Sequence, residues 1–185
     1  GGQKTCVWKG NNYCIMLFYF GSVMGVNQSL FDKENISIPR NFDEYLAAAR
    51  KLTKDTDGDG IIDQWGIGTH TTGGNNYTNR VLFYVLDAGG YWTDSEGKVA
   101  VKMPGVIEGF RRWKLVQKEG LTPLDLDSAG IRQLFIEGRI ATVMDGPWIW
   151  GIMQKAKPSI RKHLRLVKPP MYPPLGGTSN AIGMA

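Results

Sequence analysis

The densest chemistry in this 185-residue sequence is a run of oxygen donors, Lys54-Asp55-Thr56-Asp57-Gly58-Asp59-Gly60-Ile61-Ile62-Asp63-Gln64-Trp65-Gly66. The carboxylates of Asp55, Asp57, Asp59 and Asp63 and the carbonyl of Ile61 fall where an EF-hand-type loop places its first five ligands. Hard oxygen donors suit Ca2+, and Gly60 permits the sharp turn that aims them inward. Where an EF-hand carries a bidentate Glu at the twelfth position this sequence has Gly66, and Trp65 to Thr69 reads as a strand where a second helix should begin. The pattern is therefore one appended loop and not a paired sensor. Its metal-free alternative is a solvated Asp/Gly turn. A structural Ca2+ is the one cofactor the residues suggest, and none is required.

Catalytic patterns are absent. His70 and His163 stand in no zinc-type spacing, and neither a Gly-x-Ser-x-Gly elbow nor a phosphate loop ending in Lys-Ser or Lys-Thr occurs. The sequence predicts no enzyme. Cys6 and Cys14 match no metal or redox motif, which leaves unpaired packing residues or one small disulfide. The net charge of +5 comes from 22 dispersed basic residues without a binding motif, so no nucleic-acid partner is expected. A hydrophobic content of 42% is that of an ordinary globular chain, with no run long enough to span a bilayer.

The elements that must carry these residues can be read in order. Tyr13 to Asn27 is nearly all apolar and predicts extended, buried chain, followed by a short helix from Gln28 to Lys33. Asn41 with Glu44 forms a capping-box-like start for a helix over Phe42 to Lys54. Trp65 to Thr69 reads as a strand, Gly73 to Asn76 as an exposed loop, and Tyr77 to Ala88 as a helix ended by Gly89-Gly90. A hairpin over Trp92 to Val101 turns at Ser95 to Gly97, and Pro104 opens a helix to Glu119. Ser128 caps a helix through Glu137, Arg139 to Met144 is a strand, and Gly146-Pro147 opens another helix. Leu164 to Lys168 is a last strand before the turn-rich Pro169 to Thr178 and a final run over Asn180 to Ala185. Interleaved helices and short strands give an α/β class with a mixed sheet.

Three stretches in order resemble the extracellular solute-binding proteins of ATP-binding cassette importers, in the sugar-binding group that includes maltose-binding protein. The first is VNQSLFDKENISIPRNFDEYLAAARKLTKDTDGDGIIDQWGIG, Val26 to Gly68. The second and most specific is LFIEGRIATVMDGPWIW, Leu134 to Trp150, with its helix, glycine, strand and Gly-Pro-Trp element. The third is Asp87-Ala88-Gly89-Gly90-Tyr91 with the Glu-Gly-Lys hairpin after it. Upstream, Gly10 to Met16 is similar to the family's hinge strand, with Cys14 and Met16 in place of its glycine and proline.

The resemblance implies a periplasmic-binding-protein-like lobe of type II, a mixed sheet flanked by helices. By it, residues 1–12 end an N-terminal lobe, 13–27 cross a hinge, 28–178 form most of the C-terminal lobe and 179–185 begin the return. It implies a monomeric carrier outside the cytoplasm, in the periplasm or as a cell-surface lipoprotein, that captures a carbohydrate, expected to be an oligosaccharide, and delivers it to a membrane permease. The competing reading is a calcium-dependent, carbohydrate-associated scaffold or adhesion module. Trp148 is the ring implied to pack on a sugar, against simple core packing. Asn76, Tyr77, Asn79 and Arg80 supply donors, acceptors and an aromatic plane at a helix entry, against a solvated cap. Tyr19 and Phe20 follow the hinge strand and are implied as cleft contacts, against simple burial.

Overall fold

The computed structural model describes residues 7–13, 15–72, 76–94, 96–170 and 179–184, with the backbone alone for 8, 15–21, 76–79 and 179–184. Cys6, Cys14, Ser95, the loop at Gly73 to Asn75 and most of the turn-rich tail lie outside the described residues. In chain order the elements are β1 (Val7–Trp8), β2 (Asn11–Asn12), β3 (Ile15–Gly21), β4 (Val23–Asn27), α1 (Gln28–Lys33), α2 (Phe42–Leu52) and β5 (Trp65–Gly68). There follow α3 (Asn76–Asp87), α4 (Pro104–Lys118), α5 (Ser128–Ile136), β6 (Ile140–Asp145), α6 (Ile149–Met153), α7 (Pro158–Arg161), β7 (Leu164–Val167) and β8 (Ser179–Met184). Among the described residues, no helix is long and apolar enough to cross a membrane.

Local chemistry explains most of these bounds. The side chain of Asn41 accepts from the Glu44 amide at 2.9 Å, while the Glu44 carboxylate accepts from the Arg40 amide at 2.8 Å, so two orphan amides at the entry of α2 are satisfied. That helix stops two residues before the expected Lys54. Thr53 turns extended, and Lys54 pairs instead with Gln64 to close the Asp-rich loop. Ser128 was expected to cap α5, but Asp127 does so by accepting from the Gly130 amide at 2.9 Å, which frees Ser128 for another contact. Gly146 and Pro147 do not open α6 directly, because a turn through Trp148 comes first and the helix begins at Ile149. The expected hairpin over Trp92 to Val101 reduces to a single bridge, Thr93 to Val99, with its turn organised by Asp94 accepting from the amides of Glu96 and Lys98. Tyr13, placed in the buried stretch by its neighbours, is 59% exposed.

A four-stranded sheet of order β5-β6-β4-β7 forms the middle layer. β5 and β6 run parallel, while β4 is antiparallel to both β6 and β7, so the sheet is mixed. Alternation along β4 divides its side chains: Met24 and Val26 join the cluster built on α1, α2, α3 and α4, whereas Val23 packs with α5 and α6 on the other face. Helices thus cover both faces of the sheet, in three layers. A separate antiparallel pair, β3 with β8, brings the strand before β4 beside the last described strand, Gly21 opposite Ser179 and Ile15 opposite Met184.

Candidate ligand-binding edge and the acidic loop

Parallel pairing places the carboxyl ends of β5 and β6 at one edge of the sheet, with Gly68 opposite Val143. Antiparallel β4 enters at that same edge, Val23 opposite Asp145, directly after β3. In α/β sheets ligand crevices form outside the carboxyl ends of the strands, where the following loops diverge. Asp145, the last residue of β6, occupies this edge with its side chain 1% exposed.

A buried carboxylate is costly unless paired and hydrogen-bonded. Asp145 is both. Its Oδ2 accepts from Arg132 Nε at 2.7 Å, and its Oδ1 accepts from Arg132 Nη2 at 3.1 Å, Arg80 Nη2 at 3.1 Å, the Gly146 amide at 2.8 Å and Trp148 Nε1 at 2.9 Å. Burial pushes this carboxyl up, but the Arg132 hydrogen bonds and the charges of Arg80 and Arg132 outweigh it and hold the group below the usual carboxylate range. Arg80 also donates through Nη1 to the Met144 carbonyl and through Nε to His70 Nε2 at 2.9 Å. Because a guanidinium only donates, His70 Nε2 is the acceptor, and in the neutral ring Nδ1 carries the proton that is given to Ser128 Oγ at 2.8 Å. The void among these groups is about 10 Å³, room for one water, so they form a support and not a ligand pocket.

Trp148 stands over this support. Its six-membered ring lies on Gly146 so closely that a Cβ there would sit 2.3 Å from Cη2. The residue is nonetheless 44% exposed, so one edge of the indole is pinned inward while part of the ring faces solvent. A flat apolar surface fixed at the carboxyl edge of a sheet can pack against the C–H face of a ring-shaped ligand. A cavity of about 620 Å³ beside Pro39, Arg40 and Lys168 shares no residue with this cluster.

Of the other expected site residues, Arg80 is brought to Trp148 through Asp145, its guanidinium turned inward. Asn76, Tyr77 and Asn79 lie in the first turn of α3, the turn before Arg80, and their side chains are outside the described set. Tyr19 and Phe20 lie on β3, opposite Ala181 and Asn180 of β8, likewise without described side chains. Asp145, Arg132, His70 and Ser128 were not anticipated. The available signal was a carboxylate directly before Gly-Pro-Trp, the one charged residue in the strand Ile140 to Asp145.

The acidic loop has its own geometry. Oxygens of Asp55, Asp57 and Asp59 come within 4.8 Å of one another, a spread that ligands around one Ca2+ can have. Asp55 accepts from the amides of Gly58 and Gly60, each at 2.7 Å, and these bonds hold its carboxyl below the usual range. Asp57 accepts from the Asp59 amide at 3.2 Å and Asp59 from the Ile61 amide at 2.8 Å. Asp63 is not gathered with the three. It accepts from the Thr56 hydroxyl at 2.5 Å and the Thr56 amide at 3.0 Å, and its carboxyl is held low, first by that hydroxyl. The Ile61 side chain faces solvent, 68% exposed.

A search of curated proteins finds no match. The fold is shared with solved structures at low identity. A solute-binding protein from Thermotoga lettingae bound with alpha-D-tagatose is 21% identical with a TM-score of 0.80, over 98% of this chain and 46% of that one. One from Agrobacterium radiobacter in complex with ribitol is 18% identical with a TM-score of 0.78, over 95% and 43%. The maltose/maltodextrin-binding domain from Bdellovibrio bacteriovorus bound to maltotriose is 24% identical with a TM-score of 0.68, over 96% and 46%. The chain therefore spans about half the length of the structures it matches. The family model for the bacterial extracellular solute-binding protein matches residues 8–177, nearly the whole sequence and every strand of the sheet just described, and this chain belongs to that family.

Proposed function

We propose that the complete protein captures a carbohydrate or polyol between two lobes and hands it to the permease of an ATP-binding cassette importer, outside the cytoplasm, with no reaction of its own. The observation that carries this reading is Trp148, a partly exposed indole pinned at the carboxyl edge of the sheet. The bound tagatose, ribitol and maltotriose of structures with the same fold support it. Residues 28–178 act as most of one lobe, and the segments 13–27 and 179–185 act as crossings to the other. Asn76, Tyr77 and Asn79, at the start of α3, and Tyr19 and Phe20, on the crossing strand, are the further residues this reading assigns to ligand binding. Arg80 serves the same site from behind. Work is done by a population shift, since a ligand that touches both lobes favours the closed form.

Calorimetric titration of the complete protein against maltotriose, tagatose and ribitol tests the reading. Saturable binding is expected for at least one, and Trp148→Ala weakens it about thirty-fold or more, the loss typical of a central aromatic anchor. Affinity unchanged by that substitution removes the platform from the site.

For the acidic loop, the three clustered carboxylates are the donor set a Ca2+ would take, with the Ile61 carbonyl and Asp63 as the further ligands the spacing suggests. The ion would supply fixed positive charge to a crowded acidic turn and stiffen it. Added Ca2+ then raises the melting temperature and Asp57→Asn abolishes the rise; an identical melting curve with Ca2+ and with chelator removes the ion from the account.

A further inference from the structure

We propose that Asp145 is the positioning residue of the aromatic platform: clamped by Arg132 and Arg80, its carboxylate sets the orientation of the Trp148 indole before any ligand arrives. The proposal rests on the reading of Trp148 as that platform. A tryptophan after Gly-Pro on a surface turn has two free side-chain torsions, and an unrestrained ring would lose that freedom on binding. Two contacts remove it here. Gly146 admits the ring at a distance no other residue would tolerate, and Asp145 Oδ1 holds the indole N–H at 2.9 Å.

The acceptor must be a carboxylate. Five donor contacts converge on its two oxygens, and an Asn would turn an amide N–H₂ toward one of the arginines. The clamp is itself tied to three elements. Arg132 comes from α5, Arg80 from α3, and His70, after β5, links Arg80 to Ser128 at the start of α5. The charged and titratable groups facing one another are thus Asp145, Arg80, Arg132 and His70, and the platform shares its support with the helix entry that carries Asn76, Tyr77 and Asn79. One consequence concerns recognition: the indole N–H is spent inward, so a ligand meets the π face of Trp148 and takes its hydrogen bonds elsewhere.

The test is ¹⁵N-tryptophan NMR of the complete protein without ligand, with the Nε1–H signals of Trp148 and Trp150 identified by their loss in Trp148→Phe and Trp150→Phe. Trp150 is 56% exposed and serves as the internal reference. Hydrogen exchange at Trp148 Nε1 is expected to be at least about ten-fold slower than at Trp150, a carboxylate-bonded N–H being protected by a strong bond. Asp145→Asn shifts the Trp148 signal and speeds its exchange, and lowers affinity for the best-bound sugar of the maltotriose, tagatose and ribitol panel. Arg80→Lys keeps the charge but loses the fork. It moves the same signal in a protein that still unfolds cooperatively, so the proposal stays testable if Asp145→Asn fails to fold. Exchange at Trp148 as fast as at Trp150 overturns the proposal, as does a signal unmoved in the folded variants. A protected, variant-sensitive signal in a protein that binds none of the three sugars leaves the positioning role standing and removes the carbohydrate reading instead.

Discussion

Two fully buried tyrosines have opposite consequences for stability. Tyr45 Oη lies 3.3 Å from Thr142 Oγ1, and Thr142 Oγ1 lies 2.7 Å from the Gly66 carbonyl, so Thr142 gives its proton to the carbonyl and Tyr45 donates to Thr142. Tyr84 sits edge-on to Phe42 with ring centroids 6.1 Å apart, and its hydroxyl has no partner among the described residues. Burial pushes both phenols up, so both are neutral at any ordinary pH. Removing a satisfied hydroxyl loses a hydrogen bond, whereas removing an unsatisfied one relieves a desolvation cost. Tyr45→Phe is therefore expected to cost about 1 kcal/mol and Tyr84→Phe to gain about 1 kcal/mol, read by urea denaturation. A loss at Tyr84 would mean that its hydroxyl is bonded after all. The same distinction explains what could be read at this scale. Trp148 was singled out through the family resemblance carried by the local Gly-Pro-Trp pattern, but the groups that hold its indole were not, since Arg132 and Arg80 reach Asp145 across 13 and 65 residues. Nothing in the local sequence marks those partners.

Among the elements, the packing of α3 on α4 is set by glycines at points of backbone contact. A Cβ on Gly109 would lie 2.4 Å from Val85 Cα, and one on Gly105 2.4 Å from the Gly90 amide nitrogen. Helix propensity favours Ala over Gly by about 1 kcal/mol, but the backbone of α3 cannot yield as a flexible side chain can. The clash wins, and Gly109→Ala is expected to destabilise by about 1–3 kcal/mol. Gly151 in α6 has nothing within 4 Å of the same position, so Gly151→Ala should gain up to about 1 kcal/mol from propensity alone. Equal effects at the two sites in thermal or urea unfolding would dismiss close approach as the reason for Gly109. Periodicity and capping made α1, α2, α3 and α4 legible to within two residues, since those signals are carried by neighbours in sequence. What failed was finer. Ser128 and Asp127 are both good caps, and the choice between them depends on His70, which lies 58 residues away in sequence. The one-turn α7 and the two-residue strands β1 and β2 are too short to leave a period.

For the whole molecule, the route of the chain decides where a second lobe can stand. β3 and β8 lie side by side, although more than 150 residues separate Gly21 from its partner Ser179. β3 runs into β4 with only Ser22 between them, and the first residue of β4 pairs with Asp145. β3 therefore meets the sheet at the edge that carries Trp148, and on the proposed two-lobe reading a second lobe joined through it would stand over the indole. A ligand on that ring would touch both bodies, so its binding energy differs between open and closed arrangements, which is what a hinge needs to move. Small-angle scattering of the complete protein should accordingly give a smaller radius of gyration with saturating sugar than without. Binding to the folded form adds about 2.7 kcal/mol of stability at a hundred-fold excess over Kd, seen as a higher melting temperature. Trp148→Ala is expected to lose the compaction and the thermal shift together at the same sugar concentration. Saturable binding with an unchanged radius would mean that the site lies within one lobe and that β3 and β8 are rigid connections, and the edge at Asp145 would then need another explanation for its pinned indole.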